Sequence, residues 1–300
     1  MSSGSRFEPV PASQTSFLPR RTGPLLPDTA RLGQFRRQHQ LALPAAAQLT
    51  CLLRDAEGTY WLGTAGHGLW RLTDAHVSSF FTQFSPRTLG AAGNQLLVGT
   101  ANGHLLQVQP SAAHWATAPL TTTLLPPSFA MAPTAVATWQ QGTVVGTLGD
   151  GLWHLPTTGP ARRLSELPVN ARILALAPDA AGGLWVGTLA DGATYLPAAG
   201  PATHYTTATG LLHNDVYAIL PDRQGRVWFA THGTGLAVLD RGRLVVHRLV
   251  PGGVSISALA QDKQGRVWLG TEGDGVFCFT GSRFRRFTTG NSGLTSDYCY

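Results

Sequence analysis

The sequence predicts an all-β fold: a β-propeller of four-stranded blades, with six recognisable units and a partial seventh. Three observations carry this. The stretch QGRVWFATHGTGL at 224–236 returns as QGRVWLGTEGDGV at 264–276. A core threonine recurs at Thr64, Thr100, Thr147, Thr188, Thr231 and Thr271, in steps of 36, 47, 41, 43 and 40 residues by subtraction. Strand-rich repeats of that length are the signature of propeller blades. No segment keeps a 3.6-residue apolar period over a helix length, which leaves strands as the repeating material.

From the N-terminus, residues 1–32 read as a flexible, proline-containing lead. Residues 33–300 form the propeller. GQFRRQHQ at 33–40 is similar to GSRFRRFTT at 281–289, which stands in the fourth-strand position of the sixth unit. The unit cores follow as AEGTYWLGTAGHGLW (56–70), NQLLVGTANGHLL (94–106), QGTVVGTLGDGLW (141–153) and AGGLWVGTLADGA (181–193). The fifth unit divides into four strands: DVYAILPD (215–222), RVWFAT (226–231), GLAVLD (235–240) and RLVVHRLV (243–250). Short glycine-bearing connections between them suit hairpins. GLTSDYCY at 293–300 matches GLLHNDVY at 210–217, so a seventh unit opens there. The expectation is an incomplete ring, or one that closes by borrowing 33–40.

The shared residues have physical tasks. Asp55, Asp179, Asp222 and Asp262 open turns that close at Gly58, Gly182, Gly225 and Gly265. Aspartate bonds its own backbone two residues on, and glycine takes a positive φ freely. Trp61, Trp185, Trp228 and Trp268 are expected to fill the gap between neighbouring blades, each ring covering about 150–250 Å². Gly63, Gly187 and Gly270, with Ala230 in one unit, leave room for the ring or for close backbone approach.

Composition narrows the function. With 43% hydrophobic residues in 300, the chain can bury a substantial core. Its formal charge is +6, and Lys263 is its one lysine. A basic balance favours anionic partners such as acidic polysaccharide. Direct nucleic-acid binding is not expected, because there is no long basic run, no groove-entering helix and no metal-finger spacing. The RFRRF cluster at 283–287 reads as an exposed outer strand whose arginines guard an edge. Cys51, Cys278 and Cys299 support neither a disulfide framework nor a zinc site. No transmembrane run and no signal-peptide core is visible.

The pattern D-x-x-G-x-[LVY]-W-[VLF]-G-T-x-x-x-G-[LV], preceded by GLLHNDVYAIL, resembles the two-component regulator propeller repeat. The resemblance runs from about Leu49 to Tyr300 and is weaker around Thr100 and Thr147, where the Asp and Trp are missing. It implies the extracytoplasmic sensor region of a bacterial hybrid histidine kinase, hence a periplasmic or extracytoplasmic location. It also implies a ligand-binding role toward an extracellular glycan or its breakdown product. Membrane contact is expected only through a kinase portion outside this chain, and a homodimer is compatible with the reading. Two alternatives stand beside it: a streptogramin-lyase-like propeller enzyme, and a protein-interaction scaffold.

The candidate ligand-binding residues lie on the loops between second and third strands: His67, Asp150, Asp191, His232, Glu272 and Asp274. The unit-opening loop adds Asn214, with His213 and Asp215 beside it. Successive blades are expected to bring these into a polar ring suited to a hydroxyl-rich small molecule or oligosaccharide. The competing reading is turn chemistry, since Asp or Asn before Gly is what a tight hairpin demands. No catalytic constellation is legible: there is no G-x-S-x-G elbow and no H-E-x-x-H pair. No cofactor and no metal is called for. For lyase chemistry, His67 and His232 are the loop histidines expected to serve as base. The ligand mouth is placed on the second-to-third-strand and unit-opening loops, because these vary while the opposite Asp-x-x-Gly turns repeat.

Overall fold

The computed structural model describes residues 48–54, 60–72, 77–80, 84–92, 95–110, 120–125, 127–233, 235–247, 249, 253–294 and 296–299. The expected flexible lead at 1–32, the outer-strand segment at 33–40 and the Asp55–Gly58 turn lie outside these residues. The described residues form six four-stranded antiparallel sheets and a single short 3₁₀ turn, Thr207–Thr209.

The blades are β1–β4 (Gln48–Arg54, Tyr60–Ala65, Gly68–Leu72, Val77–Phe80) and β5–β8 (Pro86–Ala92, Gln95–Thr100, Leu105–Pro110, Leu120–Leu125). Next come β9–β12 (Pro133–Trp139, Gly142–Thr147, Leu152–Pro156, Arg162–Arg163) and β13–β16 (Ile173–Pro178, Leu184–Thr188, Ala193–Leu196, Thr203–Tyr205). The last two are β17–β20 (Val216–Pro221, Val227–Thr231, Gly235–Asp240, Arg243–His247) and β21–β24 (Ile256–Gln261, Val267–Thr271, Val276–Phe279, Phe284–Phe287). Within each sheet the strands pair in chain order, and the first strands of successive blades pack beside one another. This is the propeller arrangement, with the first strand innermost.

The core lies in the seams between blades. Trp61 packs with Leu89, Leu96 and Leu106 of the second blade. Trp185 packs with Val216, Ile219 and Val227 of the fifth, its ring 5.4 Å from that of Phe229. Trp228 packs with Ile256, Leu269 and Phe277 of the sixth and is fully buried. Trp268, equivalent in position, is only half-buried and stacks on Phe287 of its own blade. In the two units that lack the tryptophan, Leu97 and Val144 take its place, both buried. Phe129 makes up volume in the seam between the second and third blades. Trp139 does so between the third and fourth, its indole donating to the Gly182 carbonyl at 2.9 Å.

The Asp-x-x-Gly turn and the tryptophan prove to be one device. Asp222 Oδ1 accepts from the Gln224 and Arg226 amides, and its Oδ2 accepts from Trp228 Nε1 at 2.7 Å and from Arg226 Nε at 2.7 Å. Asp262 repeats this with Trp268 and Arg266, and Asp179 with Trp185 but without an arginine. The turn thus fixes the edge of the ring that fills the seam. The guanidinium also lies over the indole, 4.9 Å from the ring centre for Arg226 and 5.3 Å for Arg266. The glycine two residues after the tryptophan serves close approach rather than ring clearance. A Cβ on Gly187 would come within 2.8 Å of the Val216 carbonyl of the next blade's inner strand.

The inner strands are also joined by hydroxyls. Each of the six carries a bulge after its first one or two residues. At three of these bulges a hydroxyl donates to the carbonyl of the next inner strand: Thr50 to Pro86, Thr134 to Ile173 at 2.6 Å, and Ser257 to Cys299 at 2.8 Å. The last contact places Asp297–Cys299 where the first strand of a further blade begins, as the match of 293–300 to 210–217 predicts. Cys299 is buried there, as Val216 is in the fifth blade.

Two outcomes follow. Trp228→Ala should lower unfolding free energy by about 3–5 kcal/mol, and Trp268→Ala by clearly less, measured by urea denaturation. Burial alone would raise the Asp262 carboxyl. Hydrogen bonds from the Trp268 indole and from Arg266, with the Arg266 charge, outweigh burial and hold it below its ordinary range. A carboxyl lowered on folding stabilises above its unfolded pKa of about 3.9, and the gain is lost as pH falls through the folded value. The destabilisation caused by Asp262→Asn should therefore be full near neutrality and shrink below about pH 4. A pH-independent difference would show that the charge is not what stabilises the turn.

Candidate functional site

The loop between second and third strands is shaped by the recurring threonine, whose side chain is buried in all six units. Its Oγ1 donates to the carbonyl four residues on: Thr64 to Gly68 at 2.7 Å, Thr147 to Gly151 at 2.8 Å, Thr188 to Gly192 at 2.8 Å, Thr231 to Gly235 at 3.0 Å and Thr271 to Gly275 at 2.7 Å. In three loops the same oxygen accepts an aspartate amide, from Asp150, Asp191 and Asp274. The following glycine takes a positive φ, as in Gly151 and Gly275. In five units the residue after the threonine donates its amide to the strand-opening segment of its own blade, as from His232 to Asp215 and from Glu272 to Ser255. Both loop sets therefore lie on one face.

On this frame the expected polar ring divides. Asp150 and Asp274 are taken up by arginines from the fourth strands of their own blades, Arg163 Nη2 at 2.9 Å and Arg286 Nη2 at 2.6 Å. Asp150 also accepts from the Ala130 amide. His67 bonds the Ala65 carbonyl through Nδ1 within its own loop. Asp191 is exposed. Asn214 braces the strand start, its Oδ1 accepting from the Thr207 amide and its carbonyl from the Gly192 amide. For these five residues the structure gives local turn or blade partners, or plain exposure, and no convergence.

His232 and Glu272 are different. They occupy the same position in adjacent blades, beside Tyr217 of the innermost strand β17. The His232 ring meets that of Tyr217 at 5.8 Å and that of His213 at 5.6 Å, both edge-on. His213 Nδ1 lies 3.6 Å from Asp215 Oδ2 and accepts the Asp215 amide at 3.0 Å. Asp215 Oδ1 accepts from the Ala190 amide at 2.8 Å, across the seam to the fourth blade. Ala190 holds φ of 85°, a conformation alanine rarely adopts, and in it the amide faces Asp215. Burial pushes the Tyr217 phenol up, and the Asp215 and Glu272 charges push it further. His213, Asp215 and Tyr217 thus join the site. Beside the expected loop histidines His67 and His232, His213 stands 3.6 Å from a carboxylate, which spacing in the sequence did not mark.

A second concavity, of about 1100 Å³, lies between the second and third blades on the opposite side of the ring, where the first-to-second-strand turns are. Trp139, Trp153, Gln107 and Gln141 line it.

Comparison with known proteins agrees with this architecture. Residues 210–233 and 250–273 match the two component regulator propeller family. The chain is a β-propeller, and these two segments are where it is similar to that repeat family. No curated protein matches it. Among solved structures it is similar to a streptogramin B lyase at 14% identity, over 76% of this chain and 77% of that one, with a TM-score of 0.61. It is similar also to YCF48 from Cyanidioschyzon merolae at 14% identity, over 83% and 88%, with a TM-score of 0.60. At these identities the likeness defines the fold. The extracellular domain of a hybrid two component system from B. thetaiotaomicron overlaps 87% of this chain and 41% of its own at 18% identity, with a TM-score of 0.37, too low to define a shared arrangement.

The Tyr217 environment gives a direct check. Its phenol should ionise above the ordinary tyrosine range, read as the absorbance titration removed by Tyr217→Phe. Asp215→Asn or Glu272→Gln should each move that titration to lower pH, since each removes a negative charge that opposes phenolate formation.

Proposed function

We propose that this propeller is a ligand-binding sensor module of a two-component signalling system, working outside the cytoplasm and recognising a glycan or its breakdown product. The observation that carries the reading is a coincidence of place. The two segments that match the regulator propeller family contain the polar cluster of His213, Asp215, Tyr217, His232 and Glu272. A hydroxyl-rich ligand needs neighbouring donors and acceptors with an aromatic face among them, and this seam offers both.

A second reading has one observation of its own. A histidine and a carboxylate, His213 and Asp215, stand close together at one mouth of a fold shared with a streptogramin B lyase. In that reading His213 acts as a base through Nδ1, whose lone pair accepts the Asp215 amide until a substrate proton replaces it. Loss of a streptogramin on incubation with the chain, abolished by His213→Ala, would favour it over the sensor.

The sensor reading is tested by a thermal-shift screen of oligosaccharides. A ligand at 100 times its dissociation constant should add about 2.7 kcal/mol to stability. The pair His232→Ala and Glu272→Ala should abolish that shift and leave the melting temperature of the free protein nearly unchanged. Survival of the shift in this pair, with loss in Trp139→Ala or Gln141→Ala, would move the site to the opposite concavity.

A further inference from the structure

We propose that His213, Asp215 and His232 bind one divalent transition-metal ion, with Zn²⁺ the best match. Each of the three offers one ligand atom, and these atoms lie within 4.8 Å of one another. Bonds of about 2.1 Å in a tetrahedral site put neighbouring ligands about 3.4 Å apart. His213 Nδ1 and Asp215 Oδ2, at 3.6 Å, are already close to that spacing. The remaining closure falls to His232, whose side chain is exposed and can turn toward the pair.

Of the two closer ligands, Asp215 is oriented before any ion arrives, and His213 Nδ1 exchanges its amide partner for the ion. The Ala190 amide holds Asp215 Oδ1, which leaves Oδ2 on the side of the imidazole. An imidazole nitrogen that accepts a hydrogen bond carries no proton. His213 Nδ1 accepts the Asp215 amide, so the lone pair a metal needs is on the atom nearest the carboxylate. The ion competes with that amide for the lone pair. A carboxylate with one oxygen hydrogen-bonded and the other facing the ion is the usual supported arrangement of a metal-binding carboxylate.

The repeat frame does not require these side chains. The backbone bond from His232 to Asp215, 3.2 Å, recurs from Leu189 to Arg172 at 2.8 Å and from Glu272 to Ser255 at 3.0 Å. The three positions thus read Asn170, Arg172 and Leu189 in the fourth unit, and Gly253, Ser255 and Glu272 in the sixth. Same frame, different residues: the fifth unit is where imidazole, carboxylate and imidazole coincide. Two imidazoles with one carboxylate select zinc and its transition-metal neighbours over magnesium and calcium, which prefer oxygen throughout. Three protein ligands at an open mouth leave a fourth position for water or for an oxygen of a bound molecule. The proposal does not depend on which ligand the propeller senses.

The test is isothermal titration of the untagged full chain with ZnCl₂. We expect saturable binding of one equivalent, with excess Mg²⁺ failing to compete. His213→Ala and His232→Ala should each weaken binding by at least about 100-fold, beyond what loss of a supporting contact costs. His67→Ala should leave affinity unchanged. His232 is exposed, so its variant should fold as the parent does, which circular dichroism can verify. Co²⁺ bound in place of zinc should give the visible absorption of a tetrahedral ion, lost in the same two variants. Absence of a saturable equivalent, or parental affinity in both histidine variants, would overturn the site.

Discussion

The structure depends most on a buried threonine hydroxyl that closes the loop between second and third strands. A hairpin turning at the end of a fully buried strand leaves a carbonyl and an amide facing inward, and each costs about 1–3 kcal/mol if left unpaired. The threonine satisfies the carbonyl in five units at 2.7–3.0 Å, and the aspartate amide in three. In the second unit Thr100 Oγ1 reaches Asn102 Oδ1 at 2.6 Å and the His104 carbonyl at 3.2 Å. Once the loop is closed from within, the residue that follows the threonine is not held to one type. That is why residues as different as Ala65, Leu148, His232 and Glu272 can follow the same threonine.

The seams complete the division of labour. Tryptophan, braced by the turn aspartate, fills the space between blades, and inner-strand hydroxyls join one first strand to the next. Sequence variation between units is concentrated at one rim, on a frame whose buried threonine recurs in all six. The cluster of His213, Asp215, Tyr217, His232 and Glu272 is the product of that freedom in one place, and both functional readings and the metal proposal draw on it.

Much of this was legible in the sequence. The recurring threonine set the unit boundaries, and the turn Asp, its Gly and the Trp were visible because four units repeat them. In the fifth unit the third strand falls on 235–240 as read, and the fourth is described over Arg243–His247, with 248 and 250 of the expected strand outside the described residues. The replacements for the missing tryptophans were not legible, because Phe129 and Trp139 lie outside the aligned core and act across a seam. The site was half legible. Position alone marked His232 and Glu272 as rim residues. The partnership of His232 with His213 and Asp215 joins two loops of one blade through a tertiary approach that spacing does not record. The arginines that claim Asp150 and Asp274 come from the fourth strands, the least repetitive part of each unit.

Those fourth strands have a consequence for how the molecule behaves among its own copies. Two of them are short, with two residues in β12 and three in β16, and as outermost strands each leaves one edge unpaired within its own sheet. Arg162, Arg163, Arg243, Arg285 and Arg286 stand exposed along them. Two molecules approaching edge to edge at β12, β20 or β24 therefore meet the charge of Arg162, Arg243 or Arg285 first, while Arg163 and Arg286 are paired with Asp150 and Asp274. This repulsion reaches only about 8 Å at physiological ionic strength and about 3 Å at 1 M salt. At these three edges salt is therefore the variable that weakens the barrier to edge-to-edge contact.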